Sequence, residues 1–324
     1  MSKHAVVLFN LGGPDSPEAV RPFLFNLFND AAILTFAQPF RWLLAQIISR
    51  ARNEKAQGIY AKIGGRSPLL ELTREQASAL ETKLNAGGPD EYRVFVAMRY
   101  WHPFANETAA QVAAFAPDDI VLLPLYPQFS STTTQSSFDD WTAAADRVRI
   151  AVPTYLVRSY CDQEDFIAAQ AELLTVERAK AVPAPIRVLF SAHGLPMKVI
   201  EAGDPYQREI ESSAAAIAAA AGLAREDWVV CYQSKVGPMK WLAPSIDAEL
   251  ERAQRDHLGV VVLPIAFVSE HSETLVELDM DYRDRAAVLG VTPYLRVPAL
   301  GTYPTFIAGL ARLIATALER RSAS

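Results

Sequence analysis

Apolar runs of strand length alternate with stretches of helical periodicity along this chain, half of its 324 residues are hydrophobic, and one signature occurs twice. These observations predict an α/β protein built of two similar, doubly wound, Rossmann-like domains with parallel sheets. The doubled signature pairs Asn10-Leu11-Gly12-Gly13-Pro14 with Ala192-His193-Gly194-Leu195-Pro196, and VLLPLYPQFSSTTT from Val121 with VVLPIAFVSEHSET from Val261. Its two parts stand further apart in the first half, which marks residues 31–67 as an insertion. The expected domains are 1–157, joined by a C-terminal helix over 303–324, and 158–302.

The run 6–9 is a first strand that breaks at Gly12-Gly13-Pro14, and Asp15 and Ser16 cap a helix through Val20, Phe23, Leu24 and Leu27. That loop lacks the three-glycine spacing of a pyrophosphate turn and Pro14 offers no backbone donor, which excludes nucleotide binding there. Pro39 suits the first turn of a helix whose residues Phe40, Leu43, Leu44, Ile47 and Ile48 share one stripe. Core packing accounts for the stripe; Trp42 off it, with Arg50, Arg52 and Lys55 beyond, equally suits an interfacial segment. Gln38, Pro39, Arg41 and Gln46 interrupt the apolar stretch below spanning length. A helix over 71–84 and strands over 93–98, 120–125 and 148–152 follow. The second half repeats the plan, with a helix around 166–174, a strand over 186–190 and a helix opened by Asp204-Pro205 and closed by Gly222. Strands over 228–232, 260–265 and 294–297 come next, then a helix over 305–321 ending in Arg320 and Arg321, favourable at its negative pole.

With 31 Lys and Arg against 37 Asp and Glu, the net charge of −6 argues against a nucleic-acid partner. Two cysteines, Cys161 and Cys231, are too few for a disulfide framework or a four-thiolate iron–sulfur cluster, and fit a reducing compartment. Residues 1–4 run almost at once into the first strand and leave no room for a signal peptide, so a cytoplasmic protein is expected.

His193 ends a buried apolar run, between Ser191 and the Gly194/Pro196 loop, where open α/β sheets place ligands. A core histidine is the bland alternative. The stretch Ser269–Thr274 follows the 260–265 strand in the same way, and from Glu273 carboxylates recur at Glu277 and Asp281. On a helix that spacing stacks three acids along one face, each pair costing about 0.2–0.5 kcal/mol, so the helix itself has no need of them there. In the repeat register His271 and Glu273 fall where Ser131 and Thr133 fall, so ionisable chemistry belongs to one half only. One imidazole with carboxylates can hold Fe²⁺ loosely, as delivery requires. Neither a His-Glu-x-x-His zinc motif nor a Gly-x-Ser-x-Gly elbow is present.

The segments SAHGLP at Ser191, QSKVGPMKWL at Gln233, FVSEHSETL at Phe267, NLGGP at Asn10, GGRSP at Gly64 and LYPQFSSTTT at Leu125 together resemble the ferrochelatase family over nearly the whole chain. The resemblance implies a chelatase-like fold of two similar domains with the macrocycle in the cleft between them, and insertion of Fe²⁺ into protoporphyrin IX with release of two protons, the last step of haem synthesis. It implies His193, Glu273, Glu277 and Asp281 as catalytic residues, the last three as a proton relay and acidic line running on from a π-type helix. His193 and Glu273 are the implied contacts to the metal, and Leu11, Arg52, Tyr60, Ser67 and Tyr126 the implied porphyrin contacts. Fe²⁺ is then a substrate, no tightly bound cofactor is expected, and the cluster-ligating cysteines of some relatives are missing. A monomer in peripheral contact with the inner face of the cytoplasmic membrane is expected, through a lip over 31–48. Coproporphyrin as substrate, a cobalt or nickel chelatase of the same fold, and a non-catalytic tetrapyrrole carrier remain the rival readings.

Overall fold

The computed structural model describes residues 2–235, 237 and 239–319. The chain divides into two compact units. The first takes the residues up to Tyr126, Ser130–Arg158 and the chain from Leu310; the second takes Pro127–Phe129 and Ser159–Gly309. The division falls after Gly309, inside the final helix, which the sequence assigns whole to the first domain.

In the first unit β1 (Lys3–Asn10), β2 (Glu91–Met98), β3 (Asp119–Pro124) and β4 (Thr154–Leu156) form a parallel sheet in the order β2-β1-β3-β4. Its helices are α1 (Val20–Phe28), α2 (Phe40–Ala61), α3 (Leu69–Asn85), α4 (Ala105–Phe115) and α5 (Ser136–Arg147). In the second unit β5 (Ile186–His193), β6 (Trp228–Gln233), β7 (Gly259–Pro264) and β8 (Tyr294–Arg296) form a parallel sheet in the order β6-β5-β7-β8. Here the helices are α6 (Glu164–Ala179), α7 (Met197–Glu201), α8 (Tyr206–Ala220), α9 (Ile246–Arg255) and α10 (Tyr282–Leu289); α11 (Pro304–Glu319) ends the described chain. Arg320 and Arg321, expected at the end of that helix, lie outside the described residues.

The two sheets share one strand order, and the register repeats to the residue. Leu125 donates its N–H to the Phe9 carbonyl as Ile265 does to Ser191, and Met98 donates to Pro103 as Tyr232 does to Pro244. In that register Leu11 occupies the place of His193. Strands β3 and β7 are buried along their whole length, which is why they read as continuous apolar runs rather than alternating ones.

One expectation fails here. No strand forms over 148–152: α5 ends at Arg147, Arg149 takes a left-handed turn (φ 59°), and pairing begins at Thr154. Ile150 and Val152 are apolar because they pack on the first unit's core, not because they join the sheet. Of the two open readings of α2, its apolar stripe favours the interfacial one, with Leu44 and Ile48 half-buried and the rest exposed. Ala45 and Ser49 are buried while Phe40, Leu43 and Ile47 are 68, 52 and 54% exposed, so core packing does not explain it.

Candidate active site

The second unit assembles its polar residues at the carboxyl ends of β5 and β6. Register places His193 opposite Gln233, and the loop after His193 turns back against the loop after Gln233. Gly194 donates to the Gln233 carbonyl at 2.9 Å, and a Cβ on Gly194 would come within 3.0 Å of that same oxygen. Glycine is therefore required for this approach. Tyr206, buried at the start of α8, donates its hydroxyl to the His193 carbonyl at 3.1 Å and fixes the backbone that carries the imidazole.

The imidazole meets a π-helix spanning Glu273–Asp281, a wide-turned segment of a kind found often at functional sites. His193 Nδ1 lies 2.9 Å from Glu273 Oε2. An ionised carboxylate only accepts, so Nδ1 carries the proton in this bond and Nε2 of the neutral ring keeps its lone pair. The His193 side chain is 36% exposed, and Glu273 26%. His271 Nε2 stands 3.9 Å from the same carboxylate oxygen, while its Nδ1 donates to the Ser269 carbonyl.

Behind this pair Glu277 is held from two sides. Ser234 donates its N–H to Oε1 at 2.9 Å and its hydroxyl to Oε2 at 2.5 Å, and Gln233 Nε2 donates to Oε2 at 3.1 Å and to the Glu273 carbonyl at 3.0 Å. The amide of Gln233 cannot turn, because buried Ser191 donates to its Oε1 at 2.7 Å.

Burial by itself would lower the His193 pKa, but the charge and hydrogen bond of Glu273, with the charge of Glu277, outweigh it and raise the value above the usual 6.5. Glu273 moves the other way. Burial pushes its carboxyl up, while His193 and His271 bring it well below the usual carboxylate range. Glu277 stays raised, since burial and the Glu273 charge exceed the lowering effect of the Ser234 and Gln233 hydrogen bonds.

Asp281, expected in this line, is exposed at the C-terminal end of the π-helix, and Glu277 is hydrogen-bonded to Ser234 and Gln233. Those two residues lie within the recognisable QSKVGPMKWL stretch, yet only the structure shows that they hold Glu277. Glu270 belongs to a separate cluster, where Arg296 bridges it and Asp279.

Four of the five expected porphyrin contacts come together in the first unit. Leu11 and Tyr60 belong to one cluster with Phe28 and Trp101, and the Arg52 guanidinium lies 5.7 Å from the Phe28 ring centroid. Ser67 donates its N–H to the Pro14 carbonyl, and a Cβ on Gly13 would lie 2.5 Å from the Ser67 side chain, so the NLGGP and GGRSP loops meet through that glycine. Tyr126 stands apart. It packs on the core cluster around Phe9 and Trp141, with its hydroxyl buried and its pKa raised by that burial.

Two like α/β units, one of them carrying an imidazole–carboxylate pair at its strand ends, define a fold of the chelatase class. Solved structures agree: SirB from Bacillus subtilis with Fe³⁺ has a TM-score of 0.58 at 11% identity, covering 99% of this chain and 98% of that one. DR2241 from Deinococcus radiodurans, a multi-domain protein described as similar to chelatases, gives 0.53 at 11% identity over 98% of this chain and 55% of its own. At the level of sequence the chain belongs to the ferrochelatase family, whose model matches residues 3–318. A ferrochelatase of Caulobacter vibrioides is 54% identical over 316 residues, covering 96% of this chain and 89% of the relative. One from the Wolbachia of Drosophila simulans is 51% identical over 313 residues, covering 96% and 98%.

Proposed function

We propose that this chain inserts Fe²⁺ into protoporphyrin IX to give protohaem, the terminal step of haem synthesis, and that the His193–Glu273 pair is the base of the reaction. The observation that carries the reading is the 2.9 Å bond from His193 Nδ1 to Glu273 on a π-helix, in a chain of this family.

Metallation removes two protons from weakly acidic pyrrole nitrogens while iron sheds its water, so a base and a route for protons are both needed. Glu273 holds the Nδ1 proton and leaves Nε2 as acceptor; once protonated, the imidazolium is stabilised by the same carboxylate. Glu277 stands next in line with a raised pKa, suited to take a proton on from the pair. Iron is a substrate in this scheme and no resident cofactor takes part. The protein's own iron donors would be His193 and Glu273, which the family resemblance implies and which stand 2.9 Å apart. Two donors bind weakly, which suits an ion that must be passed on.

Leu11, Tyr60, Arg52 and Ser67 would hold the macrocycle, with Arg52 pairing a propionate. The exposed side chains Phe36, Phe40, Trp42, Leu43 and Ile47 form the apolar lip. Among the described residues no helix is long and apolar enough to cross a membrane, and the lip instead suits shallow attachment to the cytoplasmic membrane face, where a poorly soluble porphyrin is exchanged.

Initial rates measured anaerobically with Fe²⁺ test the proposal. Metal insertion should be faster into protoporphyrin than into coproporphyrin, and faster with Fe²⁺ than with Co²⁺ or Ni²⁺ supplied in its place. A preference for coproporphyrin or another metal would reassign the substrate, and tight porphyrin binding without turnover would make the chain a carrier.

A further inference from the structure

On the proposed function, a proton taken up by Glu277 has two bonded side chains to leave by, Gln233 and Ser234. Gln233 has its amide locked by Ser191, and an amide N–H donates without taking a proton up. The other side chain bonded to Glu277 is Ser234, whose hydroxyl can both give and accept. Ser234 is half-buried and opens a stretch in which Lys235, Gly237, Met239 and Lys240 are exposed. Its backbone is left-handed (φ 63°), which turns its N–H and hydroxyl together onto one carboxylate. An L-residue adopts that conformation at some cost, and glycine adopts it at none.

We infer that the Ser234 hydroxyl is an exit relay for protons released in metallation, passing them from Glu277 to solvent. The step balances. The O–H bond on protonated Glu277 Oε2 breaks as a new O–H forms at Ser234 Oγ, the original Oγ–H bond breaks, and that proton goes to a solvent water. Glu277 returns to carboxylate and the serine to its starting state by rotation of the hydroxyl. Ser234 is a positioning and relay residue, since it touches Glu277 and not the porphyrin. This inference rests on the reading of His193 and Glu273 as the proton-accepting pair.

Left-handed backbone makes Ser234→Gly the clean test, because glycine keeps the conformation and the N–H to Glu277 Oε1 and removes only the hydroxyl. The expected result is a roughly tenfold fall in kcat with KM for porphyrin within about twofold, restored in part by millimolar imidazole or formate acting as a mobile proton carrier. Ser234→Asn, which tolerates the same backbone and donates without relaying, should behave alike and lack the wild-type rate. A kcat within twofold of wild type in either folded variant, or a fall that neither buffer restores, overturns the relay. His193→Ala assayed alongside separates the two claims: if it retains activity the base assignment fails, whatever Ser234 does.

Discussion

The two units carry one topology and opposite chemistry. Where the first has Leu11 at the end of its second-position strand and Thr133 on a short π-helical turn, Ser131–Gln135, the second has His193 and Glu273 on the longer π-helix Glu273–Asp281. At these two matched positions the first unit is apolar and hydroxylic, as holding a flat ring would require, and the second is ionisable, as moving protons would require.

Removing the ionisable half of the comparison should have the largest effect. His193→Ala should lower metallation by about 10²-fold or more while porphyrin binding, followed by fluorescence quenching, stays within a few fold. Retention of more than about a tenth of the rate, a barrier change under roughly 1.4 kcal/mol, would show that the base lies elsewhere. On the gripping side the effect should be smaller and confined to KM. Arg52→Ala should raise KM for the free diacid porphyrin and scarcely change it for the dimethyl ester, because only the former offers a carboxylate to the guanidinium. An equal change with both substrates would make Arg52 a surface charge resting on Phe28. Smallest in stability, though not in localisation, is the lip: the double substitution of Phe36 and Trp42 by Ser should abolish co-sedimentation with anionic liposomes. Both are exposed, 55 and 49%, so the unfolding free energy should move by no more than about 0.5 kcal/mol for each. A clearly lowered Tm with unchanged sedimentation would return them to the core.

The α/β class, the duplication and the placing of His193 at a strand end were legible in the sequence because each leaves a linear trace: a buried run, a repeated signature, a histidine where that run stops. Side-chain partners across strands leave none. Gln233 and Ser234 meet Glu277 from positions more than forty residues away, through the β5–β6 register and a left-handed turn that no residue type announces. Helical periodicity finds the stripe Phe40–Ile48 and is silent on which way it faces; small Ala45 and Ser49 set that, by letting the opposite side approach its neighbours. Residues 148–152 mislead for the same reason, since apolar content marks burial and only backbone pairing makes a strand.

The pH dependence of single-turnover metallation in wild type and Glu273→Gln bears most directly on the claim that the second unit's pair is the base. His193 must be neutral to accept a proton, and Glu273 raises its pKa, so the wild-type rate should rise with pH through a midpoint above the ordinary 6.5. Without the carboxylate's charge that support goes while burial still favours the neutral ring, and the midpoint should move to lower pH together with a fall in the limiting rate. A midpoint that stays in place in Glu273→Gln would contradict the account, because the titrating group would then not be the imidazole bonded to Glu273.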